Sequence, residues 1–210
     1  MENPVIIFGA NALGKAVLDI FNRNEVLIYG FLDNDKAKIG QEIAEVSVLG
    51  ETDDDGFLKL IGQKCEAFIA IDNAKERKAL VKMLNEVRHI QPVNAIHDQA
   101  FISEDAAIGH GNYVGAGVVI NTFAEVANHC LIHTGVIIDY EVKIEDLVQI
   151  GAGSVIGAGA IIEEGVFIGS GVTIVGGVTI GKNARIGVGS VVIENVKANK
   201  TVFGNPAKEI

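Results

Sequence analysis

Residues 148–192 read VQIGAGSVIGAGAIIEEGVFIGSGVTIVGGVTIGKNARIGVGSVV, and every sixth position from Ile150 to Val192 is Ile or Val. Followed outward, the spacing holds back to Ile96, so that seventeen consecutive positions six residues apart carry a β-branched apolar side chain. Two residues before each of them the side chain is usually small or slender, as at Ala100, Ala106, Cys130, Ser154, Ala160, Ala184 and Ser190, and the residue after is often Gly. A period of six matches neither the helical repeat of about 3.6 nor the strand repeat of about 2. It matches a flat-sided prism in which each side sends one branched residue inward and then turns a corner. Three sides close a coil of eighteen residues, the parallel β-helix, and seventeen hexads make between five and six coils with no long loop between them. Much of the glycine content is expected to serve the corners.

The first ninety residues obey another rule. Val5-Ile6-Ile7-Phe8 is a continuous apolar run, Gly9 to Gly14 is a turn, and Ala16, Val17, Ile20 and Phe21 recur at helical spacing. A second strand is expected over Val26–Leu32, ending at Asp33-Asn34-Asp35, and a third over Ala67–Ile71. A helix should follow from Lys75 to Val87 with Leu80, Met83, Leu84 and Val87 on its buried face. The order predicts a Rossmann-like α/β domain over residues 1–90, a boundary around Pro92, the prism over 94–197 and a tail over 198–210.

The turn itself admits several readings. Gly9 to Lys15 opens like a phosphate-binding loop, G-x-x-x-x-G-K, but Ala16 follows where a magnesium-binding hydroxyl is needed, which argues against triphosphate hydrolysis. In a dinucleotide-type turn, the main chain around Asn11, Ala12 and Leu13 would receive a diphosphate at the helix N-terminus. Asp33, nineteen residues beyond Gly14, would meet a ribose hydroxyl. A plain tight strand-to-helix connection is the remaining reading. Asn11, Asp33 and Asn34 would share the carboxyl edge of the sheet, which suits a nucleotide diphosphate.

Composition narrows the partners. A formal charge of −10 with no basic stripe argues against nucleic acid. No segment reads as a signal peptide or a membrane helix, so membrane insertion is not expected and the cytoplasm is the expected location. Cys65 and Cys130 show no metal spacing, and Cys130, at a small position of the repeat, should be a buried thiol. His110, His129 and His133 do not reproduce the three-histidine zinc site of the prism-shaped γ-class carbonic anhydrases, so no metal is expected. His110 and His129 should face solvent, and His97 should sit at the head of the prism. Residues eighteen apart share a corner, so Ala152, Ser170 and Val188 form a column beside Gly151, Gly169 and Gly187, glycines that would serve corner geometry alone or also form a flat ledge for a ligand.

Over nearly its whole length the chain resembles the sugar acetyltransferases related to sialic acid O-acetyltransferases and to bacillosamine- and perosamine-type N-acetyltransferases. The resemblance rests on Ile6-Ile7-Phe8-Gly9-Ala10 with Gly14, Gly30-Phe31-Leu32-Asp33-Asn34-Asp35, Val48-Leu49-Gly50, Asn94-Ala95-Ile96-His97, the hexads, and Gly204-Asn205-Pro206-Ala207. It implies a left-handed prism and a homotrimer with acetyl-CoA between neighbouring prisms. It also implies a nucleotide-linked amino or hydroxy sugar on the N-terminal domain, in bacterial surface-glycan biosynthesis. Asn11, Ala12, Leu13, Asp33 and Asn34 would bind the sugar nucleotide, and Gln149, Ser170 and Val188 would contact acetyl-CoA.

The chain departs from that family at two positions. Tyr140 stands where the family's base histidine is expected, between Asp139 and Glu141, and Gln149 stands where a second histidine contacts acetyl-CoA. A phenol ionises about 3.5 units above an imidazole, which makes tyrosine a poor base near neutral pH. It can still donate a hydrogen bond to an oxyanion. His133, seven residues before Tyr140 and stacked on Gly151, is the candidate replacement, its alternative being an outward, solvated side chain. The competing reading of the whole chain is a homologue that binds ligands but transfers poorly or not at all.

Overall fold

The computed structural model describes residues 3–210, in two compact units, the first ending at Ala95 and the second running Ile96–Ile210. In the first, β1 (Val5–Phe8), β2 (Ile28–Leu32), β4 (Val46–Gly50) and β5 (Glu66–Ile69) run parallel, with β3 (Glu42–Ile43) antiparallel at one edge. The sheet order is β3-β4-β2-β1-β5. Helices α1 (Ala12–Arg23), α2 (Asp55–Leu58) and α3 (Ala74–Arg88) complete the unit. The four residues of β1 are all buried, as a central parallel strand requires.

Two sequence expectations shift for local reasons. The second strand begins at Ile28, because Val26 belongs to the end of α1. Glu25 takes a left-handed φ of 58°, its N–H donates to Asn22 O and that of Val26 to Phe21 O, a Schellman closure without glycine. On α3 the buried stripe is Arg77, Val81 and Leu84, while Val87 is 57% exposed and Leu80 and Met83 are half-buried. The helix is rotated toward a face centred on a charged residue. Arg77 is fully buried, and its guanidinium donates to Ile71 O (2.6 Å) and Asp72 O (3.0 Å), satisfying two carbonyls past the end of β5.

Seventeen two-residue strands follow, from β6 (Ala95–Ile96), which spans the boundary, to β22 (Val191–Val192), and each six-spaced Ile or Val is the second residue of its strand. They form three parallel walls with partners eighteen residues apart, as in Val119↔Ile137 and Ile120↔Ile138. The first wall holds Ile96, Val114, Ile132, Ile150, Ile168 and Ile186. The second holds Ile102, Ile120, Ile138, Ile156, Ile174 and Val192, and the third Ile108, Val126, Ile144, Ile162 and Ile180. β23 (Thr201–Gly204) and β24 (Ala207–Glu209) form a hairpin that extends the first wall, Val202 pairing with Ile186.

Cys130 is a buried thiol inside the prism, its N–H donating to Asn112 Oδ1 at 2.8 Å. Left-handed glycines serve many of the corners, as expected. From Ile108 to Ile186, the left-handed residue is the third after each inward Ile or Val, as at Gly135, Gly153 and Gly171. The glycine directly after the inward residue answers to coil spacing, since a Cβ on Gly151 would lie 2.4 Å from Ser170 N.

Candidate functional site

At the carboxyl edge of the α/β sheet, a cavity of about 400 Å3 is lined by Gly9, Asn11, Asp33, Asn34, Lys38, Thr52, Ile71, Glu76, Ala79 and Leu80. Asn11 shapes it by capping α1: its Oδ1 accepts from Gly14 N (3.0 Å) and its Nδ2 donates to Ala70 O (2.9 Å). The Asp33 carboxylate accepts from Ala10 N (2.7 Å) and Lys38 Nζ (3.0 Å) on Oδ2, and from Asp35 N (2.9 Å) on Oδ1. Burial works to raise its pKa, but the hydrogen bonds from Asp35, Lys38 and Ala10 outweigh burial and hold the carboxyl below its ordinary value. With about four lone-pair directions on a carboxylate, one on Oδ1 remains for a ligand hydroxyl. Asn34 Oδ1 accepts from both Thr52 N and Thr52 Oγ1 at 2.9 Å, tying the ends of β2 and β4 together.

Asn11, Asp33 and Asn34 therefore line one cavity. Ala12 is exposed on the first turn of α1, and Leu13 is buried, so it can offer a ligand only its main chain. The N–H groups of these first helical residues have no partner within the helix. Gly9 and Gly14 are explained by packing, since a Cβ on Gly14 would lie 2.0 Å from Gly9 O. Lys38, Thr52 and Glu76 were not singled out in the sequence. Lys38 adds a cation five residues beyond Asp33, a signal visible only once the loop folds back.

In the prism, His133 and Tyr140 belong to different corners. The turn from Ile132 to Ile138 joins the first wall to the second and carries His133. The turn from Ile138 to Ile144 joins the second wall to the third and carries Tyr140 and Glu141. Tyr140 is 52% exposed, its N–H donates to Asp139 Oδ1 (2.9 Å) and its carbonyl accepts from Gly159 N (3.0 Å). Glu141 takes a left-handed φ of 58° at a place where the next two coils use Gly159 and Gly177. Such a conformation costs a non-glycine residue about 1–2 kcal/mol.

His133 is half-buried. Its Nε2 lies 3.5 Å from Gln149 Nε2, and its ring centroid is 5.6 Å from that of Tyr113. The amide can donate to the imidazole when Nε2 carries no hydrogen. Ala152, Ser170 and Val188 continue down the same corner, joined by Gly171 N→Ala152 O and Gly189 N→Ser170 O, both 2.9 Å. Thus His133, Gln149, Ser170 and Val188 form one track, and Tyr140 with Glu141 stands apart from it in a single chain. A larger cavity of about 810 Å3 lies on the third wall, and its lining includes Glu125, Glu145, Asp146 and Glu164 with Lys143 as its one lysine.

Of the remaining histidines, His110 is exposed as expected, but His129 is only 7% exposed and occupies a left-handed corner position. His97 is buried at the head of the prism, with Nδ1 2.9 Å from Asp98 Oδ1. Among the described residues, no group of three or more His, Cys, Asp or Glu side chains is placed to hold a metal ion.

The chain is an acyltransferase built of a parallel α/β domain and a prism of eighteen-residue coils. The PglD N-terminal domain model matches residues 4–84, and the bacterial transferase hexapeptide (six repeats) model matches residues 159–194. Among solved structures, the chain is similar to a perosamine N-acetyltransferase from Caulobacter crescentus in complex with CoA and GDP-perosamine, in a variant with one histidine replaced by asparagine. The two share 27% identity at a TM-score of 0.92, over 100% of this chain and 98% of that one. The acetyltransferase domain of PglB from Neisseria gonorrhoeae (23%, TM-score 0.90, 100% of both chains) and WeeI from Acinetobacter baumannii (24%, 0.87, 99% of both) share the fold. No curated protein sequence matches the chain significantly.

Proposed function

We propose that the protein transfers the acetyl group of acetyl-CoA to an amino or hydroxyl group of a nucleotide-linked sugar, in the cytoplasm, during bacterial surface-glycan synthesis. The observation that carries this reading is the full-length likeness to an N-acetyltransferase crystallised with CoA and GDP-perosamine together. The cavity around Asp33 and Asn34 would hold the nucleotide, and the track of His133, Gln149, Ser170 and Val188 would hold acetyl-CoA. In that relative, variants with one histidine changed to asparagine or alanine are crystallised with both ligands, so losing an imidazole is compatible with a formed complex. A purely binding role for this chain is the less favoured reading.

In the reaction, an acceptor lone pair attacks the thioester carbonyl, the tetrahedral intermediate collapses with cleavage of the C–S bond, and the departing thiolate receives the proton that the base took from the acceptor. His133 would take the proton released by the acceptor, held in place by Gln149. Tyr140 would donate a hydrogen bond to the oxyanion, and Glu141 would orient the acceptor. Since Tyr140–Glu141 and His133 occupy different corners of one prism, we place the transfer site where a corner of one copy meets the other corner of the next in a homotrimer.

Replacement of His133 by Ala should lower turnover by about 10²- to 10⁴-fold, and Tyr140→His should raise it, both followed as free CoA released with a nucleotide amino sugar as acceptor. No gain from Tyr140→His would count against a lost base at that position. Oligomers mixed from His133→Ala and Glu141→Gln copies should regain part of the wild-type rate; no recovery would sink the shared site.

A further inference from the structure

Resting on the acetyl-CoA reading above, we propose that Arg185 is the cation that binds the CoA phosphates and that the exposed ring of Phe203 is the platform for its adenine. The outward column of the first wall reads Tyr113, Leu131, Gln149, Phe167, Arg185, consecutive members being in-register strand partners. Its upper members are apolar and buried, Gln149 and Phe167 are half-buried, and Arg185 is exposed. The wall therefore changes from closed and apolar to open and cationic along the direction in which a pantetheine arm must run.

Arg185 is positioned rather than merely present. Its Cζ sits 4.5 Å above the centroid of Phe167, so the guanidinium is stacked on an aromatic face with its N–H edge left for an anion. One strand further, Phe203 lies against Gly187, where a Cβ would meet its ring at 2.2 Å, and the ring is still 55% exposed. Val188, 64% exposed, is the next residue on that corner. Gly204 N donates to Ser190 Oγ at 3.1 Å, which fixes the hairpin carrying the ring.

The spacing fits the ligand. Between the coil of His133 and that of Arg185 there are three steps, roughly 14 Å at about 4.8 Å each. A pantetheine arm has about thirteen bonds from sulfur to phosphorus, roughly 16 Å when extended by ordinary bond lengths. An acyl group at His133 and Gln149 thus brings the diphosphate to Arg185, and the adenine one coil lower to Phe203. The larger cavity on the third wall suits CoA poorly, because four carboxylate residues and one lysine line it.

Calorimetric titration of the full-length protein with CoA and with pantetheine, which lacks the nucleotide, tests the assignment. Arg185→Met should weaken CoA binding about tenfold or more and leave pantetheine binding unchanged, and Phe203→Ala should weaken CoA by a smaller factor. Lys143→Met, on the acidic wall, should change neither, and thermal melts should show all three variants folded. Wild-type CoA binding that survives both Arg185→Met and Phe203→Ala overturns this assignment alone. A wild-type protein that binds no CoA overturns the acetyl-CoA reading and this assignment with it.

Discussion

The α/β unit and the prism are both parallel β structures, yet they distribute their packing in opposite ways. In the first unit, Phe8, Leu32, Ile69 and Leu84, from three strands and a helix, meet in one cluster, so a misfit at any of them is felt by all. In the prism, Ile138 pairs with Ile120 above and Ile156 below, and each coil rests mainly on its neighbours. The difference teaches that damage should spread through the whole of the first unit and stay local in the second.

The largest effect is expected at Gly14, whose added Cβ would press on the backbone of Gly9. Gly14→Ala should cost more than about 3 kcal/mol and abolish nucleotide binding, while the prism keeps its β-type circular dichroism. A well-folded Gly14→Ala variant would break the comparison on the side of the first unit. Ile156→Ala should cost about 2–4 kcal/mol, with faster hydrogen exchange confined to the coils of Ile138 and Ile174. Exchange raised along the entire prism would break it on the other side.

A smaller change sharpens the contrast within the prism. Relief of the left-handed φ at Glu141 and the added chain entropy of glycine nearly offset, so Glu141→Gly should melt within about 1 kcal/mol of wild type. Its transfer rate should nonetheless fall. An equal rate would make Glu141 a corner residue only.

The smallest effect is one of pH. The folded carboxyl of Asp33 is held below its ordinary value of 3.8, so its contribution to stability is complete above that pH. It is lost as pH falls through the lower folded value. Asp33→Asn should flatten the acid limb of the first unit's stability curve; an unchanged limb would contradict the bonding pattern around Asp33.

The walls of the prism were legible in the sequence because one constraint, an inward branched residue every sixth position, is imposed seventeen times. The corners were less so. The left-handed place is filled by Phe123, His129, Glu141, Leu147 and Asn183 as well as by glycine, so no residue type marks it. For the same reason the burial of His129 went unread, and Glu25 ended α1 without the glycine that would have signalled it. The phase of α3 was missed because Arg77 faces inward, its charge satisfied by carbonyls that only the folded chain supplies. Asn11, Asp33 and Asn34 could be placed at one sheet edge by strand order, whereas Lys38 and Thr52 reach the same cavity through loops of no fixed period.

The eighteen-residue coil makes the prism a ruler. Removing or adding eighteen residues leaves every other side chain on its own wall and changes the distance from His133 to Phe203 by one step, about 4.8 Å. A change of six residues rotates everything below it onto a different wall and parts the two ends of the track. Length in this region is therefore quantised in whole coils, and on the proposed acetyl-CoA assignment the span of the cofactor would set how many lie between His133 and the hairpin.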